Sequence, residues 1–507
     1  LHTAFVALPR AALLQPAGPF RSHLHTLWQD WMEQNPPLAG PNYLAPVETG
    51  IRLVNWATAL RFLEAAEPVD ASFQQALWEH VAAQRASIAA NLSRGSSANN
   101  HLLGELASLV LADSAFAGLA PAEATAKYRE ELQREVLLQF HEDGVNREQA
   151  LHYHGFSLEF AGLAELADRA GGRAWPERVV HRLRQAVDYL HAAHDREGVP
   201  FLYGDSDDSE VLPLAEGPRR PTQCVVALGR AAWDNAFASD ERTHWLLGPA
   251  HEPGAPSPDR TERQVFARGG HAFLRRGAIE AHVNGGDLGY LSICAHGHAD
   301  VGSIEVRVRG HAVIVDPGTH SYRGGNPWRD ALVSHRAHAG IQVNGREPAE
   351  RGGPFLWTRS YRARLSDTDE VIQVTHDGYR GDRIETRRDV FWDAEGALTV
   401  RDTVQGAGSA EVRLCWPLGP GQAEITGGAV RFRSGPVEAR LEVDGLGTPA
   451  LVEGSLEQPG SPVYSDGYDK LTPITACVWE DQVMLPLTVV TRIHIPTEGR
   501  VQAPRGR

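Results

Sequence analysis

Histidine and acidic residues crowd into residues 290–345. His296 and His298 stand two apart, and Asp300 follows two further on. Asp316 comes next, in Val315-Asp316-Pro317-Gly318, at the end of an alternating run. His335 and His338 then precede another short apolar run. Two imidazoles and one carboxylate make a zinc set. On a strand, side chains two apart point the same way, so His296 and His298 would share a face. Ile304, Val306 and Val308 alternate with Glu305, Arg307 and Arg309, and Arg309-Gly310 supplies a turn, so residues 303–315 read as a hairpin. Such a hairpin returns Asp316 to the neighbourhood of His298, and a third strand would add His338. The chain has 23 His, most of them in ordinary surface or core roles; the clustering singles out His298, Asp316 and His338.

Three further segments concentrate polar groups. Asn99-Asn100-His101 stands just before an apolar-periodic run, where an Asn serves as an ordinary N-cap or presents a carboxamide beside an imidazole. Residues 148–154 open the next helix but one, with Glu148, His152, Tyr153 and His154 gathered at its start. The Tyr153 phenol has an ordinary pKa near 10, so acid or base work would need a neighbouring charge or burial to tune it. The loop 202–208, with Asp205, Asp207 and Asp208, fits no calcium-loop spacing and reads as capping and turn.

The elements that must position these residues change type along the chain. Helical three-to-four spacing of apolar residues marks 23–34, 46–67, 71–92, 100–113, 121–140, 148–170 and 175–195. Asn35-Pro36-Pro37, Pro68, Gly95, Pro121, Asp143-Gly144 and Gly171-Gly172 separate them. Seven or more helices joined by short loops predict stacked antiparallel hairpins, a solenoid or an α/α toroid. After a segment rich in proline and glycine the period becomes two: 399–405, 410–418, 429–434, 439–445 and 487–495 read as strands. Closely spaced strands imply an antiparallel sandwich. The expected class is α+β, with a helical domain at 1–247, a crossing loop at 248–262 and an antiparallel β-sandwich at 263–507.

A length of 507 residues calls for more than one core. The net charge of −15 argues against a general nucleic-acid binder but leaves room for a local basic cleft. Only Lys127 and Lys470 are lysines among 49 basic residues. Cys224, Cys294, Cys415 and Cys477 are too widely spaced for a metal motif and are expected as buried small hydrophobes. No apolar run approaches transmembrane length. The N-terminus carries no clear signal-peptide pattern and does not begin with Met, so export is not judged from it.

Taken together, these segments resemble the heparinase II/III-like polysaccharide lyases and their alginate-lyase relatives. The resemblance rests on Asn99-Asn100-His101; on Asp143-Gly144, Glu148-Gln149, Tyr153-His154 and Phe156; and on Gly204-Asp205-Ser206-Asp207-Asp208. In the second half it rests on His296-Gly297-His298-Ala299-Asp300, Val315-Asp316-Pro317-Gly318-Thr319, Tyr322, Trp328-Arg329-Asp330, Arg336-Ala337-His338 and His376-Asp377-Gly378-Tyr379. The motifs run in the family's order and cover most of the chain. The resemblance implies an incomplete N-terminal α/α toroid followed by an antiparallel β-sandwich. It implies that Asn100, with His101 beside it, neutralises a substrate uronate carboxylate, and that Tyr153 and His296 are catalytic. It makes His298, Asp316 and His338 ligands of a structural Zn2+, with His335 as the substitute for His338. Arg329, Tyr322, His154 and Tyr379 are its substrate-binding candidates. Family members read His-Asn-Thr after the last ligand where this chain has His338-Ala339-Gly340.

The implied reaction is β-elimination on a uronate glycan: loss of the C5 proton and cleavage of the C4–O bond. The C5 proton is poorly acidic, so hydrogen bonds must mask the carboxylate as charge develops. A base must reach C5 and an acid the leaving oxygen. Tyr153 can take either role, and His296 is the base for the opposite C5 configuration. The implied partner is an acidic polysaccharide, with no nucleic acid and no membrane, and the implied setting is secreted or periplasmic. Heparan sulfate, hyaluronan, alginate and a bacterial exopolysaccharide all satisfy this chemistry. A glycoside hydrolase would instead need two carboxylates about 5–10 Å apart, for which Glu105, Glu148 and Asp208 are candidates. A non-catalytic glycan-binding protein would have no need of Asn100, Tyr153 and His296 together.

Overall fold

The computed structural model describes residues 4–66, 70–116, 118–214, 220–234, 240–248, 261–323 and 325–496. The chain divides into two compact units. One holds the chain up to Gly144, then His154–Asp188 and the stretch from Ser209 to the proline-rich segment. The other holds Val145–Tyr153, Tyr189–Asp208 and everything from the first strand onward. Of the crossing loop expected at 248–262, residues 249–260 lie outside the described residues.

The first unit is helical, as the three-to-four spacing predicts. Its long helices are Phe20–Gln34, Pro46–Ala66, Ala71–Ala90, Asn100–Ala115, Ala122–Gln139 and, crossing the division, Leu151–Ala170. Glu177–Ala192 and Pro221–Asp234 follow. Ala4–Leu14 packs on Pro46–Ala66, which packs in turn on Asn100–Ala115. This is the succession of an incomplete α/α toroid. Trp28, Trp31, Trp56, Phe5 and Phe73 form an aromatic core there with edge-to-face contacts, such as Trp31 on Trp56 at 5.1 Å. The helix at 148–170 starts later than its spacing predicts, at Leu151. Gln149 sits in the left-handed region at φ 55°, which ends any helical run before it.

The second unit is antiparallel. Arg263–Phe266, His271–Arg276, Ile279–Asn284, Ile304–Val308 and His311–Ile314 form a five-stranded meander. A ten-stranded sheet is centred on two twenty-residue strands, Leu398–Pro417 and Thr475–His494. The two strands expected at 399–405 and 410–418 are therefore one, carried past Gly406 and Gly408 by a bulge between Val404 and Gly408. Val283, Ile304, Val306 and Ile314 from the meander share a core with Val400, Leu414 and Trp416 of the larger sheet. The hairpin expected at 303–315 forms, with Arg309 and Gly310 both at positive φ in its turn. Its polar face is not solvated, however. Glu305 and Arg307 are buried and pair with each other, and Arg307 also reaches Asp195 at 3.4 Å. Among the described residues no helix is long and apolar enough to cross a membrane. All four cysteines are buried and free.

Candidate active site

Asp205 is the centre around which the site residues of the second unit gather. It lies in the 202–208 loop, which the sequence reading treats as a turn. The side chain is fully buried, and its two oxygens serve two imidazoles: Oδ2 meets Nδ1 of His296 at 3.1 Å, and Oδ1 meets Nε2 of His298 at 2.9 Å. Arg329 donates to Asp205 as well, at 2.7 Å from Nη2 and through a second close contact from Nη1. Burial by itself would raise the Asp205 pKa. Arg329 and the two imidazoles outweigh it and hold the carboxyl below the usual range.

His296 and His298 do not lie on a strand. Residues 285–303 form a loop, and the shared face expected from strand geometry is replaced by a shared carboxylate. The backbone N–H of Asp205 donates to the carbonyl of His296 at 2.9 Å, which ties the two loops together. With Nδ1–H of His296 given to Asp205, Nε2 carries the lone pair; it lies 3.9 Å from Glu148.

The Tyr153 ring stacks on the His296 ring, with centroids 3.6 Å apart and planes 16° apart. Its hydroxyl lies 3.2 Å from Asp207 and 3.3 Å from the Tyr322 hydroxyl. Burial, then the Asp207 and Asp205 carboxylates, push the Tyr153 phenol well above its ordinary pKa, so it stays protonated at neutral pH. Asp207 also meets Nε2 of His152 at 2.9 Å. Phe355, 36% exposed, sets its ring edge against His296 and Tyr322 at 5.9 and 5.2 Å. Tyr322, Arg329, Arg351 and Phe355 line an adjoining cavity of about 350 Å³.

Behind this layer sits the His298–Asp316–His338 group, all buried, with one ligand atom of each within 4.8 Å of the others. Nδ1 of His338 donates to the Ser334 carbonyl at 2.8 Å, and Nε2 of His298 faces Asp205. Of the remaining atoms, Nε2 of His338 and Oδ2 of Asp316 face each other at 3.3 Å, and Nδ1 of His298 makes no hydrogen bond. Two imidazole nitrogens and a carboxylate oxygen converge on one buried spot, each imidazole fixed by a bond to its other nitrogen, and this is the kind of donor set a divalent metal takes. The group could hold such an ion. Burial opposes the charged form of His338, but Asp316 at 3.3 Å lifts its pKa to about 9. His338 ends a short 3-10 turn, His335–Ala337, and is not on a third strand. His335 is no substitute ligand, because its two ring nitrogens bond the carbonyls of Ala299 and Ile341 at 2.7 and 3.1 Å.

Other residues singled out in the sequence lie elsewhere. Tyr379 is buried in the second unit's core, its hydroxyl 3.4 Å from the Arg346 carbonyl. His154 is fully buried in the helical unit with Nε2 on the Ala186 carbonyl at 2.9 Å, and burial pushes its pKa down to about 3. Both are packing residues in this fold, which corrects their reading as substrate contacts. Asn100 and His101 open the helix Asn100–Ala115 in the same unit. Asn99 is the N-cap, accepting from the His101 N–H at 3.2 Å, so the capping role does not fall to Asn100. Glu105 is occupied by the Ser93 backbone and hydroxyl, both at 2.6 Å, and Asp208 by the Tyr468 N–H at 2.9 Å. The residues missed as chemistry are Asp205 and Asp207, whose one signal was the run Gly204-Asp205-Ser206-Asp207-Asp208, and His152, named only within the polar cluster 148–154.

The chain matches two family descriptions: heparinase II/III N-terminus over residues 20–211 and heparinase II/III-like, C-terminal, over residues 258–461. No curated protein sequence matches it. Among solved structures it is similar to a heparinase III, at 16% identity and TM-score 0.75, over 98% of this chain and 76% of that one. It is similar to the heparan sulfate lyase HepC from Pedobacter heparinus, at 14% identity and TM-score 0.63, over 98% and 76%. A variant of the chondroitin AC lyase of Streptomyces coelicolor A3 follows at 13% identity and TM-score 0.57, over 98% and 75%. These likenesses agree with the toroid and the β-sandwich already described. With both halves of the family matched in order across most of its length, the chain belongs to the heparinase II/III-like family of polysaccharide lyases.

Proposed function

We propose that this protein cleaves a uronate-containing polysaccharide by β-elimination, with Tyr153 as the acid and His296 as the base. The observation that carries this reading is the stacked Tyr153–His296 pair, with His296 fixed by Asp205 and Tyr153 held protonated. Nε2 of His296 takes the C5 proton, the C5–H electrons form the C4=C5 double bond, and the C4–O bond breaks. Tyr153 gives its proton to the departing O4. One proton is taken and one is given, so the pair is restored by exchange with solvent. General acid–base assistance of this kind contributes about 10²–10⁴-fold. Asn100 and His101 are proposed, from the family resemblance, to donate hydrogen bonds to the uronate carboxylate as it becomes enolate-like. Tyr322 and Arg329 border the adjoining cavity, and Phe355 offers an apolar face for a sugar ring.

The metal proposed for His298, Asp316 and His338 is Zn2+ in a structural role. When bound, it would fix the loop that carries His296. A polymeric substrate that does not cross membranes places the reaction outside the cytoplasm, secreted or periplasmic.

The test is incubation of the purified protein with heparan sulfate, hyaluronan, alginate and polygalacturonate. Elimination yields a conjugated double bond that absorbs in the ultraviolet. New reducing ends without that absorbance would make the protein a hydrolase, and no cleavage of any polymer would defeat the proposal.

A further inference from the structure

A second basic surface lies on the edge of the larger sheet, apart from the residues used above. Arg362, Arg364, Arg380, Arg383 and Arg387 line a groove of about 840 Å³ against two carboxylates, Asp377 and Glu385. This is a local excess of positive charge in a chain of net charge −15. Clustered guanidinium groups repel one another unless something anionic lies between them. Here the protein supplies little. Arg362 pairs with Asp287 at 2.9 Å and Arg387 with Asp389 at 3.2 Å. Arg364, Arg380 and Arg383 are exposed and make no ion pair among the described residues.

Strand register arranges the groove. Thr375 pairs with Arg364 on one side and with Arg387 on the other, and Arg387 pairs with Thr403. Directly paired residues point to the same face, so Arg364, Thr375, Arg387 and Thr403 form one row across four strands. Two strand spacings separate Arg364 from Arg387, about 10 Å. That is about the length of a disaccharide, the interval at which an alternating uronate–hexosamine polymer repeats its carboxylate, and two sugars of a homopolyuronate. Glu385 and Gln405 pair in the neighbouring row, and the 3-10 turn Arg380–Asp382 closes one end. No Phe, Tyr or Trp lines the groove; its one ring is His376, whose Nε2 meets the Thr386 hydroxyl at 2.7 Å. Planar guanidinium forks beside threonine hydroxyls and an amide suit carboxylates or sulfates set among sugar hydroxyls.

We propose that this groove is a second, non-catalytic binding site for a carboxylate- or sulfate-bearing stretch of acidic polysaccharide. The proposal rests on the reading of the substrate as an acidic glycan. The groove retains the polymer on the enzyme between cleavage events, so it acts on long chains and not on short ones.

The test combines Arg364→Ser, Arg380→Ser and Arg383→Ser, which break no ion pair within the protein. Binding of end-labelled heparan sulfate and polygalacturonate chains is measured by anisotropy in a Tyr153→Phe background, where cleavage is expected to be about 10³-fold slower. The triple variant is expected to weaken long-chain binding about tenfold and to flatten its salt dependence. Turnover of unsaturated-product-forming tetrasaccharides is expected to stay unchanged, and Arg→Lys at the three positions to restore most of the binding. Unchanged polymer affinity in the triple variant overturns the groove while leaving the lyase reading intact. Arginine-dependent polymer binding by a protein that cleaves nothing sustains the groove and defeats the lyase reading. Tighter arginine-dependent binding of single-stranded DNA than of either polysaccharide overturns the ligand class.

Discussion

Arg388 and Asp205 each sit at the heart of a buried charged cluster in the same unit, but only the first cluster is internally complete. Arg388 makes two bonds to Asp402, at 2.6 and 2.8 Å, and one each to the carbonyls of Gly302 and Ala339 at 2.7 Å. Its charge and its donors are matched where they lie. Around Asp205 the inner bonds are equally short, but in the next ring Asp316 and His338 have only each other, at 3.3 Å, and Nδ1 of His298 has no hydrogen bond. Burying a polar atom without a partner costs roughly 1–3 kcal/mol. The contrast separates the two uses of buried charge. One cluster clamps the loops that lead to Gly302 and Ala339, and the other has the donor set that could hold a metal ion.

The comparison breaks most sharply at Tyr153. Tyr153→Phe is expected to lower the elimination rate on a uronate polymer about 10³-fold with polymer affinity little changed. Initial rates by ultraviolet absorbance, paired with a binding isotherm, check this, and a fully active variant removes Tyr153 from the chemistry. Arg388→Ala should act on stability instead. It strands Asp402 in the core and is expected to cost about 3 kcal/mol or more in urea unfolding. A variant as stable as the parent would show that the clamp is not needed. Asp205→Asn is expected to lower kcat about 10- to 100-fold with KM nearly constant, because Asp205 orients His296 without touching substrate. A change confined to KM would contradict that positioning role. His338→Ala, or chelation of the parent protein, is expected to lower the melting temperature by several degrees. Elemental analysis should find about one metal per chain in the parent and little in the variant. A metal-free parent with an unaltered melting curve would end the metal assignment.

The smallest effect concerns His154, a buried imidazole with no part in either cluster. Its folded pKa, about 3, lies below the unfolded value near 6.5. The unfolded state therefore binds the proton first. Stability from this group is complete above pH 6.5 and declines as pH falls toward 3, by at most about 1.4 kcal/mol per pH unit. His154→Gln should flatten the pH dependence of unfolding free energy between about pH 6 and 4 by up to that amount. An unchanged slope would mean that His154 is not held neutral.

Much of the fold was legible because local spacing reports local structure. Seven helices lie where three-to-four spacing puts them, and the 303–315 hairpin follows from alternation and one Arg-Gly turn. The candidate site was legible only in pieces. Tyr153, His296 and the metal group could be named from clustering and resemblance. Asp205 was hidden because Gly-Asp-Ser-Asp-Asp reads as a turn until two histidines some ninety residues away close on it. His335 and His338, three apart, are equivalent as letters. They differ only in that carbonyls consume both ring nitrogens of one and a single ring nitrogen of the other.

The amino-acid sequence alone determined the order of helical and extended segments, the places where they stop, and the supply of imidazole, phenol and carboxylate. Those depend on backbone preferences and apolar spacing over a few residues. Which carboxylate faces which imidazole, which histidine keeps a lone pair, and which arginines fall into one row were decided by tertiary structure. Each of those depends on atoms brought within about 3 Å across long stretches of chain, a distance that only packing and strand register set.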